Sequence, residues 1–309
     1  MRKPMWQTEQ FESHRAHLQA VAYRMLGSVG EAEDAVQETW LRLNRSETDA
    51  VTNLAGWLTT VVSRVSLDML RARRSRREDY VGARLPELVV RVDDGDDVAE
   101  EALLADSVGI ALLVVLETLT PAERLAFVLH DMFTVPFEEI APIVERTTDA
   151  ARKLASRARR RVREVAPAPQ ADPAKQREVV SAFLAASRAG NLDALVRVLD
   201  PDVVFRHYRT PIAAAEPVQI DGVGAVADAV LSFSRSSRLA QLARPALVNG
   251  IAGIVVGSVE RPGAVGAFTV VGGSIVAIDL ITDPGQLRDI ARDKSGRGPD
   301  QTPQGLTER

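Results

Sequence analysis

Apolar residues recur along the first half of the chain at the spacing of an α-helix. Leu18, Val21, Ala22 and Met25 fall at i, i+3, i+4 and i+7 and share one face. Gly27-Ser28-Val29-Gly30 interrupts the pattern. A second stripe follows in Ala32, Ala35, Val36, Thr39, Trp40 and Leu43, opposite Glu31, Asp34, Glu38 and Arg42. A polar loop over 44–53 leads to a third helix from Leu54, with Leu58, Val61, Val62, Val65 and Met69 inward and Arg64, Asp68 and Arg71 outward. Segment 78–97 has no clear period, holds Gly82, Pro86 and Gly95, and reads as a linker. A long helix is expected over 98–119. Thr120-Pro121-Ala122-Glu123 then marks a helix start: a capping threonine, proline at the first helical position, and a glutamate that closes a capping box. Two shorter helices are expected at 136–144 and 148–165, the first ending early or bending at Pro142. Glu145 stands where a turn glycine is common.

Pro167-Ala168-Pro169 marks a boundary, and the character changes beyond it. Helices over 173–189 and 192–199 precede a strand at 203–207 and a helix near 223–233. Four strand-like runs follow, at 244–248, 251–259, 264–271 and 274–281, with hairpin turns at Asn249-Gly250 and Gly272-Gly273. Helices followed by an antiparallel meander indicate an α+β domain. The chain thus divides into a helical domain over 5–77, an acidic linker over 78–97, a second helical domain over 98–166, an α+β domain over 173–284 and a mobile tail over 285–309.

Composition narrows the chemistry. The 309 residues include no cysteine, which excludes disulfides, thiol nucleophiles and cysteine metal sites. His14 and His17 could share a helix face, but ordinary surface histidines explain them as well, and no metal or cofactor is expected. The longest apolar run, Ile110–Leu116, is too short to span a bilayer, and nothing at the start resembles a signal peptide, so a cytoplasmic protein is expected. Net charge is only −4, yet it is unevenly placed. Trp57–Arg77 carries six arginines against Asp68, and Arg146–Arg163 eight basic residues against Asp149. Asp93–Asp106, in contrast, has seven acids and no base. Local footprints of that size contact phosphates even in an acidic protein.

Two short helices joined by a tight turn, the second strongly basic, describe a helix-turn-helix over 137–163. Ala151, Leu154, Ala155, Ala158 and Val162 form its inner stripe, while Asp149, Arg152, Lys153, Ser156, Arg160 and Arg163 project outward. Such a face suits a major groove; a basic surface helix of an ordinary bundle has the same pattern. With the basic helix of 57–77 it makes two cationic modules on one tether.

Here the chain resembles sigma-70 family proteins of the extracytoplasmic-function group. Asp34-Ala35-Val36-Gln37-Glu38-Thr39-Trp40-Leu41-Arg42-Leu43 is similar to the helix that docks on the β′ coiled coil of RNA polymerase, which implies polymerase contacts at Asp34, Gln37, Glu38, Trp40 and Leu41. Gly56-Trp57-Leu58 through Arg71 resembles the helix that opens and reads the −10 element, which implies DNA contacts at Asn53, Trp57, Arg64, Arg71, Arg73, Arg74, Arg76 and Arg77. Leu119-Thr120-Pro121-Ala122-Glu123-Arg124 with Phe137-Glu138-Glu139-Ile140-Ala141 resembles the −35 module, with contacts implied at Thr148, Asp149, Arg152, Lys153, Ser156, Arg157 and Arg160. The implied partners are promoter DNA and core RNA polymerase, through its β′ coiled coil and β flap, with no membrane. In such proteins the linker runs through the polymerase's nucleic-acid cleft; a solvated spacer extended by its own charge is the other reading of 93–101.

Val179-Val180-Ser181-Ala182-Phe183, Gly190-Asn191-Leu192-Asp193 and Leu199-Asp200-Pro201-Asp202-Val203-Val204-Phe205 resemble a SnoaL-like domain, an α+β cone with a pocket. Sigma factors with this extension form a subgroup in which it modulates activity and stands in for a separate anti-sigma factor. Leu85, Pro86 and Glu87 of the linker and Asp283 and Pro284 near the end are the implied clasp. Both elements depart from the subgroup: Arg84-Leu85-Pro86-Glu87-Leu88 replaces Trp-Leu-Pro-Glu-Pro, and Asp283-Pro284-Gly285-Gln286-Leu287 replaces Asn-Pro-Asp-Lys-Leu. The clasp is therefore expected to be altered. His207, Tyr208, Asp221 and Asp279 are the acid–base candidates if the cone were an enzyme, but no spacing demands a catalytic arrangement, and the expectation is a non-enzyme. A small ligand in the cone is a further partner to consider. The competing reading is an enzyme or ligand sensor fused to a DNA-binding helix-turn-helix.

Overall fold

The computed structural model describes residues 5–46, 53–76, 87–92, 110–165, 172–209, 217–236, 241–258, 261–288 and 290–292. Three helices open the chain: α1 (Met5–Leu26), α2 (Val29–Arg45) and α3 (Leu54–Arg76). The break between the first two is built as the sequence indicates. Gly27 takes a left-handed φ of 71°, and Ser28 caps α2 by accepting from the Glu31 amide. The apolar stripes pack together, and Trp40 leans on Phe11 with ring centroids 4.9 Å apart.

The second helical unit comprises α4 (Ile110–Thr118), α5 (Pro121–Phe127), α6 (Phe137–Val144) and α7 (Thr148–Val165). Thr120 and Glu123 form the capping box in full. A π-helical turn over Val128–Met132, not evident from the pattern, continues α5. The expectation that α6 ends early or bends at Pro142 is corrected in one respect: the helix runs through Pro142 to Val144. It stops at Glu145, which adopts the left-handed region at φ 57° in place of the usual glycine. Of the helix expected over 98–119, only α4 lies among the described residues.

Both helical units share one apolar cluster. Their junction also holds Arg124, which is 2% exposed. Its Nε donates to the Arg24 carbonyl at 3.0 Å and its Nη1 to Glu117 at 2.7 Å. Phe133 sits edge-on to His17 and beneath the Arg24 guanidinium. This junction explains why α3 is buried on more than its expected face: Ser63, Ser66, Leu67 and Leu70 are also covered.

The C-terminal domain has α8 (Pro173–Ala189), α9 (Leu192–Val198) and α10 (Val223–Ser236) against a sheet. Its strands are β2 (Leu199–Tyr208), β3 (Val218–Asp221), β4 (Ala243–Val248), β5 (Ile251–Gly257), β6 (Pro262–Val271), β7 (Ser274–Ile281) and a short β8 (Ala291–Arg292). An eighth strand, β1 (Val89–Val92), comes from the linker. The order is β3-β2-β7-β6-β5-β4-β1-β8; β2–β7 and β1–β8 are parallel and the other pairs antiparallel. The α+β assignment holds, with β3 unforeseen.

Two expectations are revised here. The aperiodic linker is a strand over its last described residues, because Leu88 and Val90 find a buried apolar surface in the C-terminal domain. The tail does not begin as a free segment: α11 (Pro284–Arg288) and β8 continue the fold, and residues 293–309 lie outside the described residues.

Candidate nucleic-acid interface and linker clasp

On α3 the exposed ridge is Arg64, Asp68 and Arg71 at i, i+4 and i+7, continued by Arg74. Arg71 lies 3.7 Å from Asp68, while Arg64 and Arg74 have no ion pair among the described residues. Arg73 points the other way. Its two terminal nitrogens donate to the Leu26 carbonyl at 3.1 and 3.2 Å, and it pairs with Glu31. The guanidinium thus closes the C-terminus of α1 and the first turn of α2 instead of facing outward with its neighbours. Asn53 caps α3, its Oδ1 accepting from the Gly56 amide at 3.0 Å. Trp57 packs half-buried on the helical core. The Arg76 side chain and all of Arg77 lie outside the described residues.

On α2 the residues Asp34, Gln37 and Leu41 form an exposed row, and Leu41 is 39% exposed despite its apolar side chain. Glu38 flanks the row and pairs with Arg42 at 2.9 Å. Trp40 turns inward to Phe11, so it supports that surface more than it presents itself.

The outer face of α7 emerges as its spacing dictates. Asp149, Arg152, Lys153, Ser156, Arg157 and Arg160 are exposed, and Thr148 is half-buried at the helix start. Arg152 is braced on three sides, by Asp149 at 3.0 Å, by Glu138 at 3.1 Å and by the Phe137 ring. Arg157 reaches Glu123 at 3.0 Å, and Arg161 joins it at 3.5 Å. Burial would raise the Glu123 carboxyl, but the Thr120 hydroxyl and amide together with Arg161 and Arg157 outweigh it and hold the group below the usual carboxylate range. One carboxylate therefore caps α5 and anchors the basic helix.

The linker is held at two points. Glu87 faces the first helical unit. Its amide donates to the Gly27 carbonyl at 2.8 Å, its carbonyl accepts from the Tyr23 hydroxyl at 2.6 Å, and its Oε2 accepts from the Val29 amide at 2.8 Å. The carboxylate thus lies at the N-terminus of α2, where negative charge is favoured. Two residues later Val89 is bound by Asn249 of the C-terminal domain, whose amide donates to the Val89 carbonyl and whose Oδ1 accepts from the Val89 amide, both at 2.8 Å. Leu88 and Val90 join Tyr208, Val248, Ile281 and Leu287 in one apolar cluster, with Val114 of α4 packed against it.

The expected clasp is thus corrected in detail. Asp283 and Pro284 start α11, where Asp283 Oδ1 accepts from the Gln286 amide. It is Leu287 of that helix that packs beside the linker residues. Leu85 and Pro86 lie outside the described residues.

Of the acid–base candidates, Asp279 and Tyr208 come together with Arg206 at 3.2 Å each. Burial raises both the Asp279 carboxyl and the Tyr208 phenol. His207 bonds Thr282 at 2.8 Å instead, and Asp221 accepts from Gln219. None of the four lines the apolar cavity of about 80 Å³ between α8, α10 and the sheet, where Phe183, Phe205, Phe233 and Phe268 meet and Arg188 stands at the edge. Among the described residues no cluster of His, Asp or Glu could hold a metal ion, and no helix is long and apolar enough to cross a membrane. Asn249 and Glu123 escaped the sequence reading as anchors. Asn249-Gly250 signalled the turn but nothing signalled what the side chain reaches.

Comparison with known proteins identifies the family. The Sigma-70 region 2 family matches residues 10–76 and the Sigma-70, region 4 family residues 110–162. The ECF RNA polymerase sigma factor SigJ of Mycobacterium tuberculosis is 46% identical over 200 residues, 64% of this chain and 64% of that protein. The probable ECF RNA polymerase sigma factor SigI of the same species is 34% identical over 301 residues, 93% of this chain and 96% of that one. The crystal structure of the M. tuberculosis extracytoplasmic function sigma factor SigJ superposes with a TM-score of 0.69 at 38% identity, covering 92% of this chain and 99% of the other. The chain belongs to the ECF RNA polymerase sigma factors, non-enzymatic DNA-binding proteins of transcription initiation, with sigma-70 regions 2 and 4 followed by an α+β domain.

Proposed function

We propose that this sigma factor acts in the cytoplasm, docks on core RNA polymerase through the α2 face of Asp34, Gln37 and Leu41, and lays α3 on the −10 element and α7 on the −35 element. Its C-terminal domain modulates that activity, without a separate anti-sigma factor, by taking the linker into its own sheet. The observation that carries this reading is the double hold on the linker, Glu87 at the N-terminus of α2 and β1 in the sheet beside β4. A linker held so cannot at the same time follow a separate path through the polymerase.

In vitro transcription with core polymerase tests both parts on the full-length chain. The L88D/V90D variant places two charges at buried positions and unseats β1. Promoter-specific transcripts are expected from the wild type and at a changed level from the variant. Equal levels would remove the modulatory role, and no specific transcript from either would overturn the promoter-directing role.

The cavity favours one addition, ligand control of the C-terminal domain. Its wall is apolar and aromatic and includes Arg188, which also donates to the Ala243 carbonyl; at about 80 Å³ it has room for no more than a short aliphatic acid. A thermal-shift series of short aliphatic acids checks it, with no shift across the series ruling it out.

A further inference from the structure

The linker strand sits where a slip of one residue would have large consequences. Side chains alternate along a strand, so the observed register turns Leu88 and Val90 into the apolar cluster. A one-residue shift would turn Glu87, Val89 and Arg91 inward instead and withdraw the Glu87 carboxylate from α2. The ladder itself discriminates poorly, because only Val90, Arg91 and Val92 pair with β4 and backbone bonds are the same for any sequence. The hydrophobic pair Leu88 and Val90 favours one register, but Val89 is also apolar and weakens that choice.

A side chain at the end of β4 adds a tie at the first residue of the strand. Asn249 adopts φ 52° and Gly250 φ 77°, the left-handed pair of a tight hairpin. From there Asn249 holds both backbone groups of one linker residue, and at 7% exposure the two bonds are shielded from water. We propose that Asn249 is the positioning residue that pins the start of the linker strand to the hairpin of β4 and β5, and so holds Glu87, two residues upstream, against α2. Its consequence for transcription rests on the modulatory reading above; its structural role does not.

Asparagine tolerates this backbone conformation, yet glycine tolerates it better. N249G therefore keeps the turn and deletes only the side-chain acceptor. N249D keeps an oxygen opposite the Val89 amide. Hydrogen–deuterium exchange on the full-length chain separates the two. In N249G the amides of 88–92 are expected to exchange about tenfold faster, equivalent to about 1.4 kcal/mol, while protection over 243–248 and 251–257 is unchanged. N249D, which keeps the acceptor but buries a charge, is expected to fall between wild type and N249G. Wild-type exchange in N249G would overturn the proposal, because the acceptor would then be dispensable. Equally fast exchange in both variants would overturn it too, as would loss of protection throughout the hairpin, which would mean the residue only shapes the turn. Transcription assays on the same proteins form a separate arm. Faster linker exchange with unchanged transcript levels leaves the anchoring role intact and removes the modulatory reading instead.

Discussion

Removing the exposed arginines of α3 should flatten the salt dependence of promoter binding by a calculable amount. Binding that neutralises a duplex phosphate contributes about 0.9 to the slope of log affinity against log salt. Arg64, Arg71 and Arg74 are the exposed arginines of the described ridge, and among the described residues only Arg71 makes an ion pair, with Asp68 at 3.7 Å. If each meets one phosphate, R64A/R71A/R74A lowers the slope by about 2.7. Between 50 and 200 mM salt that makes binding about fortyfold less salt-sensitive. Arg73 supplies the internal control. Its guanidinium is committed to the Leu26 carbonyl and Glu31, so R73A should leave the slope unchanged and instead destabilise the first helical unit by about 1–3 kcal/mol. Fluorescence anisotropy of a labelled promoter fragment with the reconstituted holoenzyme, over a potassium chloride series, reads the slope, and thermal unfolding reads the control. A triple variant with the wild-type slope would refute the reasoning, as would an R73A slope reduced as much as that of R74A.

Two further outcomes follow from the buried charges. Glu123 sits below its ordinary pKa in the folded chain, so its stabilisation is present above the usual carboxylate range and is lost as pH falls through the folded value; acid unfolding of the second helical unit should be blunted in E123Q, and circular dichroism titrations that coincide for the two proteins would contradict this. D279A takes from Arg206 and Tyr208 the buried carboxylate that both bond and should cost about 3–5 kcal/mol in urea unfolding, whereas R206M/D279L should recover most of that loss.

The helical half was legible because its signals are local. The stripe of Leu18, Val21, Ala22 and Met25 and the capping box at Thr120 are written within a single turn or two, and each is built as its spacing indicates. The outer face of α7 was readable for the same reason. What escaped depends on partners distant in sequence. Segment 89–92 has too few residues to show an alternation, and it becomes a strand only because β4, more than 150 residues later, offers an edge. Arg73 looks like its neighbours in a basic run, yet one turn of α3 brings it beside the carbonyl of Leu26. Composition assigns such a cluster to one face, whereas helical geometry distributes it over two.

The same long-range logic joins the linker to the helix proposed to meet the polymerase. Regions 2 and 4 meet through a junction that includes Arg124 and Phe133, and separating them would return the Arg24 carbonyl and both guanidiniums to water rather than leave them stranded. Opening that junction would also expose the apolar cluster that the two units share. Release of the linker uncovers Leu88 and Val90 and the edge of β4 at once and also strips Glu87 from the N-terminus of α2. The helix that loses this cap is the one that carries Asp34, Gln37 and Leu41. The strand position and the N-terminus of α2 are thus joined through Glu87 itself, which lies two residues of chain from the Val89 that Asn249 holds.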